Sequence, residues 1–299
     1  MRNIDKPKKM DFSSENNGNS ADQGKIQRHR QYLKRLERLR PIDDDFMRCV
    51  FNDSERLGEF VLRIILDRPD LIITSMQTQK DMKMLGGARS LCLDAYGEDS
   101  DGKKYDLEIQ RDNRGADPYR ARYHSSAIDV RNLKAGQEFT ELPETYVIFI
   151  TEHDIFHAGE PVYPVERINL KTGQSFDDGE HIIYVNGEYE GTSDLGWLIH
   201  DFKCTNAADM HYKMLRDRVK FLKESEEGQV YMCSVMEEIR TEGIAEGRTE
   251  GIAEGIARGI RKNIVTLRRV GTADARIKSL LMEEYQISAE EADSYLDSI

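Results

Sequence analysis

The segment that most constrains the fold is CLDAYGEDSDGKKYDLEIQ, residues 92–110. Two strand-like runs flank a turn rich in Asp, Ser and Gly, which is typical of a β-hairpin. In a strand, side chains two positions apart share a face. The second run therefore carries Asp106, Glu108 and Gln110 on one face and apolar residues on the other. We expect the apolar row to face the core and to back the polar row.

The turn decides whether Asp94, on the first strand, shares a face with Glu108. A two-residue turn at Asp101-Gly102 would place Asp94 across from Ile109 and separate the two acids. A three-residue turn over DSDG, with Gly102 in the left-handed region and a bulge, would place Asp94 across from Glu108. Asp at the start of the turn and Gly at its fourth place favour this second form. Two carboxylates and an amide would then meet on one surface, where an oxygen-preferring divalent cation could bind. From the spacing alone, the alternative is an ordinary hairpin with its acids in solvent.

The hairpin belongs to an alternating order of helices and strands. A helix is predicted for SERLGEFVLRIIL, because its apolar residues recur at i, i+3, i+4 and i+7. Strands are predicted at 71–78, 90–96 and 104–110. Asp117 and Pro118 mark the start of the next helix, which Gly136 ends. TYVIFIT at 145–151 is a near-continuous apolar run of buried-strand length. The resulting order is α β β β α β.

Farther along the chain, VYPVERINL and HIIYVNGEY predict two more strands, the second with an Asn186-Gly187 hairpin signal. The pattern from Leu195 to Glu226 is helical. Its predicted core residues are Trp197, Leu198, Phe202, Met214, Leu215, Val219 and Phe221. We expect these helices to pack against the first sheet.

The two ends of the chain differ from this middle part. Residues 1–24 lack apolar periodicity and predict a mobile tail, and residues 25–40 predict a basic helix. Near the C-terminus, EGIAEGRTEGIAEGIARG repeats every four residues. Each Gly costs a helix about 1 kcal/mol relative to Ala, so the repeat is either a marginal helical spacer or a helix that self-associates.

Short helices are predicted after the repeat for NIVTLRRVG and ARIKSLLMEEYQ, and the capping box Ser288-x-x-Glu291 opens a last one. These patterns divide the chain into three parts. Residues 1–40 form the basic tail and helix, residues 41–226 form the main domain, and residues 227–299 form a helical region that contains the Gly/Glu repeat.

Composition limits the function classes. The formal net charge of −12 argues against nucleic-acid binding, but residues 1–40 hold 11 Lys or Arg against 5 Asp or Glu, and phosphate contacts need only a local basic patch.

No apolar run is long enough to span a membrane and no secretion signal is visible, so we expect a cytoplasmic protein without membrane contact. No G-x-x-x-x-G-K-[ST] loop is present, so we expect no nucleotide cofactor. The four Cys residues lie far apart, with no C-x-x-C and no nearby His pair, and predict reduced thiols and no zinc site.

The ordered set of motifs resembles the PD-(D/E)xK nuclease superfamily, and more closely its transposase-associated, recombination-promoting branch. The likeness is carried by DDDFMRCVF, ERLGEFVLRIIL, LDAYGEDSDGKKYDLEIQ and YRARYHSSAIDVRNLKAGQEFTELPETYVIFIT. It implies an α/β fold with a restriction-endonuclease-like αβββαβ core and a helical C-terminal extension. It also implies a metal-dependent DNA endonuclease associated with transposition or recombination, with Mg²⁺, or alternatively Mn²⁺, as cofactor. We expect DNA and a second copy of the chain as partners.

The resemblance implies roles for the matching acids and amide. Asp94 and Glu108 would bind the metal, and Gln110 would complete the catalytic set. Gln110 stands where the superfamily has a lysine that positions the attacking water; an amide can hold water but supplies no positive charge. Glu59, on the first helix, would be either a further metal ligand or an ordinary solvent-facing Glu.

The predicted DNA-binding residues are Arg48, Arg120, Arg122 and His124. A cationic helix beside a metal site would grip the phosphate backbone without reading bases. Arg48 could equally form a salt bridge on its helix surface. The alternative function is a catalytically inactive nuclease-fold protein that binds DNA or protein and self-associates through its C-terminal helices. Gln110 and the net charge favour this alternative, whereas the retention of both acids favours the enzyme.

Overall fold

The computed structural model describes residues 20–52, 54–82, 91–111 and 113–299; within these, the side chains of 20–22, 25, 79, 81, 113, 114 and 246 are not described. Most of the predicted N-terminal tail lies outside the described residues, and a helix already begins at Ser20. The chain divides into two compact units between Cys233 and Ser234. No helix in the described part is long and apolar enough to cross a membrane.

The first unit combines a sheet with helices on its faces. Its helices are α1 (Ser20–Arg38), α2 (Asp44–Phe51), α3 (Glu55–Ile65), α4 (Pro118–Asn132), α5 (Asp194–Lys203) and α6 (Lys213–Glu224). Its strands are β1 (Ile73–Met82), β2 (Leu91–Asp99), β3 (Lys104–Gln110), β4 (Thr145–Thr151), β5 (Val162–Val165) and β6 (Glu180–Asn186). The predicted order α β β β α β is confirmed by α3, β1, β2, β3, α4 and β4.

The sheet has the strand order β1-β2-β3-β4-β6-β5. The pairs β1/β2, β2/β3 and β5/β6 are antiparallel, whereas β4 pairs in parallel with β3 and with β6. Central parallel strands are covered on both faces and therefore read as continuous apolar runs. This explains TYVIFIT, which forms β4 with every residue buried except the half-buried Tyr146.

The β2–β3 hairpin has the three-residue turn that its sequence predicts. Gly102 has φ +82°, and its N–H donates to the carbonyl of Asp99 at 3.1 Å. The N–H of Asp99 in turn donates to the carbonyl of Lys103 at 3.2 Å. Tyr96 consequently pairs with Asp106 in the ladder. In this register even-numbered residues of β2 lie opposite even-numbered residues of β3, so both sets share one face; a shift of one residue would separate them.

Both faces of β3 are covered. On one face the Tyr105 hydroxyl lies 3.4 Å from Nη1 of Arg68, just after α3. On the other, Asp106 lies 2.8 Å from His124 of α4. The helices α3 and α4 therefore lie on opposite sides of the sheet. The polar row of β3 is thus buried under α4 and does not face solvent.

Helix α4 starts as the Asp117-Pro118 pair predicts. Proline is compatible with the first turn of a helix, where its missing N–H costs nothing. The Asp117 carboxylate accepts from the N–H groups of Tyr119 and Arg120, which have no partner inside the helix. The pair therefore fixes the first turn of α4 beside the end of β3.

Some predictions for the first unit are wrong. Helix α2 was not expected as an element separate from the helix predicted for SERLGEFVLRIIL. The Asn186-Gly187 pair ends β6 and is followed by α5, so it forms no hairpin. Gly187 instead allows close backbone contact, since a Cβ there would lie 2.2 Å from the Thr151 carbonyl oxygen.

The predicted core of the α5–α6 region is right for four of its residues and wrong for three. Leu198, Phe202, Leu215 and Val219 are buried. Trp197, Met214 and Phe221 keep 38, 43 and 37% of their surface exposed. These three lie on the outer side of helices whose inner positions are already filled, a distinction that a continuous apolar pattern does not reveal.

The second unit is helical. Helix α7 (Glu226–Arg269) begins before the boundary, and α8 (Asp274–Tyr285) and α9 (Ala289–Asp297) follow it. Its apolar core consists of Ile260, Ile264, Ile277, Leu281 and Leu296. The Ser288–Glu291 capping box is confirmed. The Gly/Glu repeat lies inside α7, and NIVTLRRVG continues this helix rather than forming one of its own.

Candidate functional site

Asp94 and Glu108 meet where the β2–β3 ladder ends. Ala95 and Leu107 are the last paired residues there, and the same register sets Asp94 across from Glu108. The N–H of Asp94 donates to Oε1 of Glu108 at 3.0 Å, and the N–H of Ile109 donates to Oδ2 of Asp94 at 3.1 Å. Each carboxylate therefore replaces a ladder bond and is held in place by the opposite strand. We call Asp94 and Glu108 the acid pair.

A chain of hydrogen bonds connects the acid pair to α4. Arg120 donates from Nη2 to Oε2 of Glu108 at 2.9 Å and from Nε to Nε2 of His124 at 3.2 Å. Because Arg only donates, Nε2 of His124 accepts, and the hydrogen resides on Nδ1. Nδ1 donates to Oδ2 of Asp106 at 2.8 Å. Asp106, Glu108 and His124 have fully buried side chains, and that of Arg120 is 35% exposed. These four residues form the buried network.

Crowding of acids changes their protonation. Burial and the charges of Glu108 and Asp44 raise the pKa of Asp94 to about 8. Burial and the charge of Asp106 raise the pKa of Glu108 to about 7. Burial, with the charge of Asp94, also raises the pKa of Asp106 well above its usual range. Without a cation, the site therefore holds protons at neutral pH. A bound divalent ion would offset the repulsion between these buried carboxylates and so replace the protons.

The donor set fits a divalent cation. Ligand atoms of Asp106, Glu108 and His124 all lie within 4.8 Å of one another. Oδ1 of Asp106 is buried and has no hydrogen-bond partner. Such an orphaned carboxylate oxygen is costly unless an ion, a water or a proton satisfies it. Both nitrogens of His124 are engaged with Arg120 and Asp106, so the ligands that remain for an ion are carboxylate oxygens, which suit Mg²⁺ or Mn²⁺.

The start of α2 is tied to the same edge of the sheet. Arg40 binds Asp43 at 3.0 Å and Glu152, just after β4, at 2.7 Å. Arg111, just after β3, binds the same two acids at 3.2 and 3.0 Å. This double clamp places Asp44, the first residue of α2, near enough to Asp94 for its charge to act there.

Gln110 lies beside the acid pair, at the end of β3, and packs against a short 3₁₀ helix (Asn113–Ala116). A Cβ at Gly115 would lie 1.9 Å from Oε1 of Gln110. Glycine at 115 therefore leaves the space that the amide occupies. Gln110 as a whole is half-buried.

The predicted DNA-binding residues separate into two groups. Arg122 is exposed on the first turns of α4, with its guanidinium 5.4 Å from the ring of exposed Tyr119. Arg48 is half-buried on α2 beside Asp44. His124 cannot contact DNA as predicted, because its ring is fully buried within the buried network. Arg120 shares its partly exposed guanidinium between Glu108 and His124.

Glu59 has structural partners and lies outside the metal-capable groups of the described residues. Its Oε2 accepts from the N–H of Ile73 at 2.9 Å, and its Oε1 pairs with Arg63 at 2.8 Å. The carboxylate joins α3 to the start of β1. Its prediction as a metal ligand is therefore not supported by its position.

Sequence reasoning missed Asp106 and Asp44 as members of this cluster. The alternation of side chains along β3 predicts that Asp106 shares a face with Glu108, so the sequence could have identified it as a member. Its burial, however, depends on how α4 docks on the sheet, and the sequence pattern does not predict this. For Asp44, the run of three acids after Pro41 was visible, but its proximity to Asp94 depends on the clamp by Arg40.

The fold is that of a mixed α/β protein with a helical C-terminal part, and its central strands carry a cluster of crowded carboxylates. Residues 60–188 match the family model described as PD-(D/E)XK nuclease family transposase. The resemblance inferred from the sequence is thereby confirmed, and it supports a nuclease role related to transposition. Neither the curated proteins nor the solved structures yielded a match to this chain.

Proposed function

We propose that this protein is a divalent-metal-dependent DNA endonuclease that acts in transposition or recombination. The observation that carries the proposal is the acid pair, in which two carboxylates from adjacent strands face each other with raised pKa values. Mg²⁺ is the proposed cofactor, with Mn²⁺ as an alternative, because both prefer oxygen ligands. The proposed nuclease domain is residues 41–226.

In this proposal Asp94 and Glu108 hold the ion, and Asp106 and His124 fix the carboxylate of Glu108 through the buried network. When bound, the ion lowers the pKa of a water molecule and neutralises charge on the phosphate. The Gln110 amide orients the attacking water through a hydrogen bond. It supplies no charge, and the Arg120 guanidinium provides the missing positive charge next to Glu108.

DNA is the proposed partner, held mainly through its phosphates. Arg122 and Tyr119 are exposed at the end of α4 that adjoins the acid pair. An exposed guanidinium can bind a phosphate, and an aromatic ring can stack on an unpaired base. The proposed oligomer would form through the helices after residue 226, where Ile244, Ile252 and Ile256 of α7 are exposed.

The test is cleavage of supercoiled plasmid with Mg²⁺, with Mn²⁺ and with EDTA. We expect nicking by the wild-type protein that EDTA abolishes and that the double variant Asp94→Asn, Glu108→Gln lacks. Asp101→Asn, which removes an exposed acid from the same hairpin, is the matched control and should cleave like wild type. Equal nicking by wild type and the double variant would mean that a contaminant cleaves the DNA and would remove the enzymatic proposal.

The second candidate is a catalytically inactive DNA-binding relative, which the glutamine at position 110 favours. It predicts metal-independent retention of DNA in a gel-shift assay and no cleavage with either ion. Restoring the superfamily residue separates the two candidates only together with the wild-type assay. If the protein is an enzyme, wild type cleaves and Gln110→Lys increases the rate; if it is an inactive relative with an intact acid pair, wild type does not cleave and Gln110→Lys creates cleavage.

A further inference from the structure

A second cluster of metal-ligating side chains lies at the end of α5, outside the acid pair and the buried network. His200 and Cys204 are four residues apart and share a helix face, with Sγ of Cys204 3.5 Å from Nδ1 of His200. Nδ1 of His200 lies 3.3 Å from Oδ1 of Asp201. Nδ1 of His211 lies 3.2 Å from the same oxygen. Four potential ligands therefore meet where α5 ends and the chain turns toward α6.

The ligand atoms of His200, Asp201 and Cys204 all lie within 4.8 Å of one another, and the three separations above are close to those between the ligands of one tetrahedral ion. With zinc bonds of about 2.3 Å to sulfur and about 2.0 Å to nitrogen or oxygen, tetrahedral angles give about 3.5 Å between sulfur and nitrogen and about 3.3 Å between nitrogen and oxygen. We propose that His200, Asp201 and Cys204 form a site for a zinc-class transition-metal ion, with His211, which lies against the same oxygen of Asp201, as the fourth ligand. Two imidazoles, a thiolate and a carboxylate are a set that zinc prefers over magnesium.

The surrounding contacts hold the ligands in this arrangement. Asp201 is fully buried and accepts the N–H groups of His211 and Tyr212, each at 2.8 Å. The ring of His211 is stacked on Trp197 at 5.7 Å between centroids. These bonds fix the carboxylate of Asp201, and the same carboxylate contacts the rings of His200 and His211. A bound ion would therefore connect the end of α5 to the segment that leads into α6.

An ion can reach the cluster from solvent. The side chains of His200 and His211 are 49 and 44% exposed. Both line an open cleft of about 670 Å³, together with Trp197 and Lys203. A site that is half-open to water can load and release an ion without unfolding.

The competing explanation is a hydrogen-bonded cluster that never binds metal. Burial and the charges of Asp201 and Asp209 raise the pKa of Cys204 to about 11, so its thiol carries a proton in the metal-free protein. A metal ion would displace that proton. The prediction of reduced thiols without a zinc site rested on the absence of a C-x-x-C motif and of a nearby His pair, and it overlooked the His200-x-x-x-Cys204 spacing.

The test is Co²⁺ binding to the full chain, followed by absorption, because Co²⁺ substitutes for Zn²⁺ and reports thiolate ligation by a near-ultraviolet charge-transfer band. We expect one equivalent of Co²⁺ to produce this band together with the visible bands of a tetrahedral ion, and Zn²⁺ to abolish both. Cys204→Ser should lose the band, and His200→Gln should weaken Zn²⁺ binding by more than the about 10–100-fold that loss of an outer-shell partner costs. Cys233→Ser, a half-buried thiol elsewhere in the chain, should keep both.

Absence of a thiolate band in a wild-type protein that is folded by circular dichroism would overturn the proposal. A band that persists in Cys204→Ser would overturn it too, since another thiol would then be the ligand. The Glu108→Gln variant should retain the band, so this result does not depend on whether the acid pair supports cleavage.

Discussion

The bond between His124 and Asp106 provides a quantitative test of the buried network. Replacing His124 by Phe keeps a ring of similar size against Phe149, whose centroid lies 5.9 Å from that of the imidazole. The change removes the only hydrogen-bond donor found for Asp106 among the described residues. Both oxygens of this fully buried carboxyl group then lack an N–H donor.

The magnitude follows from the burial of the pair. A hydrogen bond to a charged group contributes about 1.5–3 kcal/mol, and an orphaned buried group adds about 1–3 kcal/mol of desolvation. Since Asp106 can take up a proton, we expect His124→Phe to lower the free energy of unfolding by about 3 kcal/mol. Asp106→Leu removes the buried acid as well as its bond and should cost less. The double variant, with apolar groups on both sides, should be more stable than the sum of the single changes by about 2 kcal/mol.

The assay is urea unfolding at neutral pH, followed by the fluorescence of Trp197. This is the single tryptophan of the chain and it lies in the first unit, so the signal reports the unit that holds the network. Linear extrapolation gives the four free energies of the double-mutant cycle. A coupling of less than about 0.5 kcal/mol would refute the reasoning, because it would mean that the two groups do not depend on each other.

Three further predictions concern the same region. The pKa values of Asp94 and Glu108 are raised to about 8 and 7, so above about pH 4 the folded protein binds more protons than the unfolded chain. The free energy of unfolding of the metal-free protein should therefore fall as the pH rises to about 8 and then level off. Urea unfolding midpoints measured in EDTA across this pH range test this. Gly115→Ala should displace the Gln110 amide and lower the cleavage rate while leaving DNA affinity unchanged, which plasmid nicking and gel shift measure together; unchanged cleavage would contradict a role for the amide. Arg122→Ala should weaken DNA binding and reduce the slope of log affinity against log salt by about 1, whereas Arg131→Ala, in the last turn of the same helix, should leave both unchanged.

The hairpin was predictable because local chemistry determines it. A glycine at the fourth place of the turn fixes the bulge, the bulge fixes the register, and the register puts Asp94 across from Glu108. The first turn of α4 was predictable for a similar reason, since Asp117 and Pro118 act only on their own neighbours. Alternation also set Asp106 on the correct face.

What the sequence did not reveal depends on how helices dock. The sequence pattern predicts His124 as a surface cation on a basic helix. In the structure its ring faces the sheet, and Nδ1–H donates a hydrogen bond to Asp106. Glu59 lies on the helix that precedes the hairpin in the sequence, but its carboxylate accepts a hydrogen bond from the backbone at the start of β1. Cys204 looks isolated along the chain, and only the turn toward α6 brings His211 close to its cluster. In each case the deciding contact joins elements whose relative placement no local pattern specifies.

The central claim is that Asp94 and Glu108 together hold a divalent ion, and Mn²⁺ binding measured by calorimetry tests it most directly. The Cys204→Ser protein should be used throughout, so that the cluster at the end of α5 does not contribute. We predict a site that binds Mn²⁺ more tightly as the pH rises from about 6 to about 8, because the acid pair must lose its protons. This site should disappear in Asp94→Asn and in Glu108→Gln and persist in Asp101→Asn. Binding that survives both acid-pair substitutions, or no binding at about pH 8, would contradict the account.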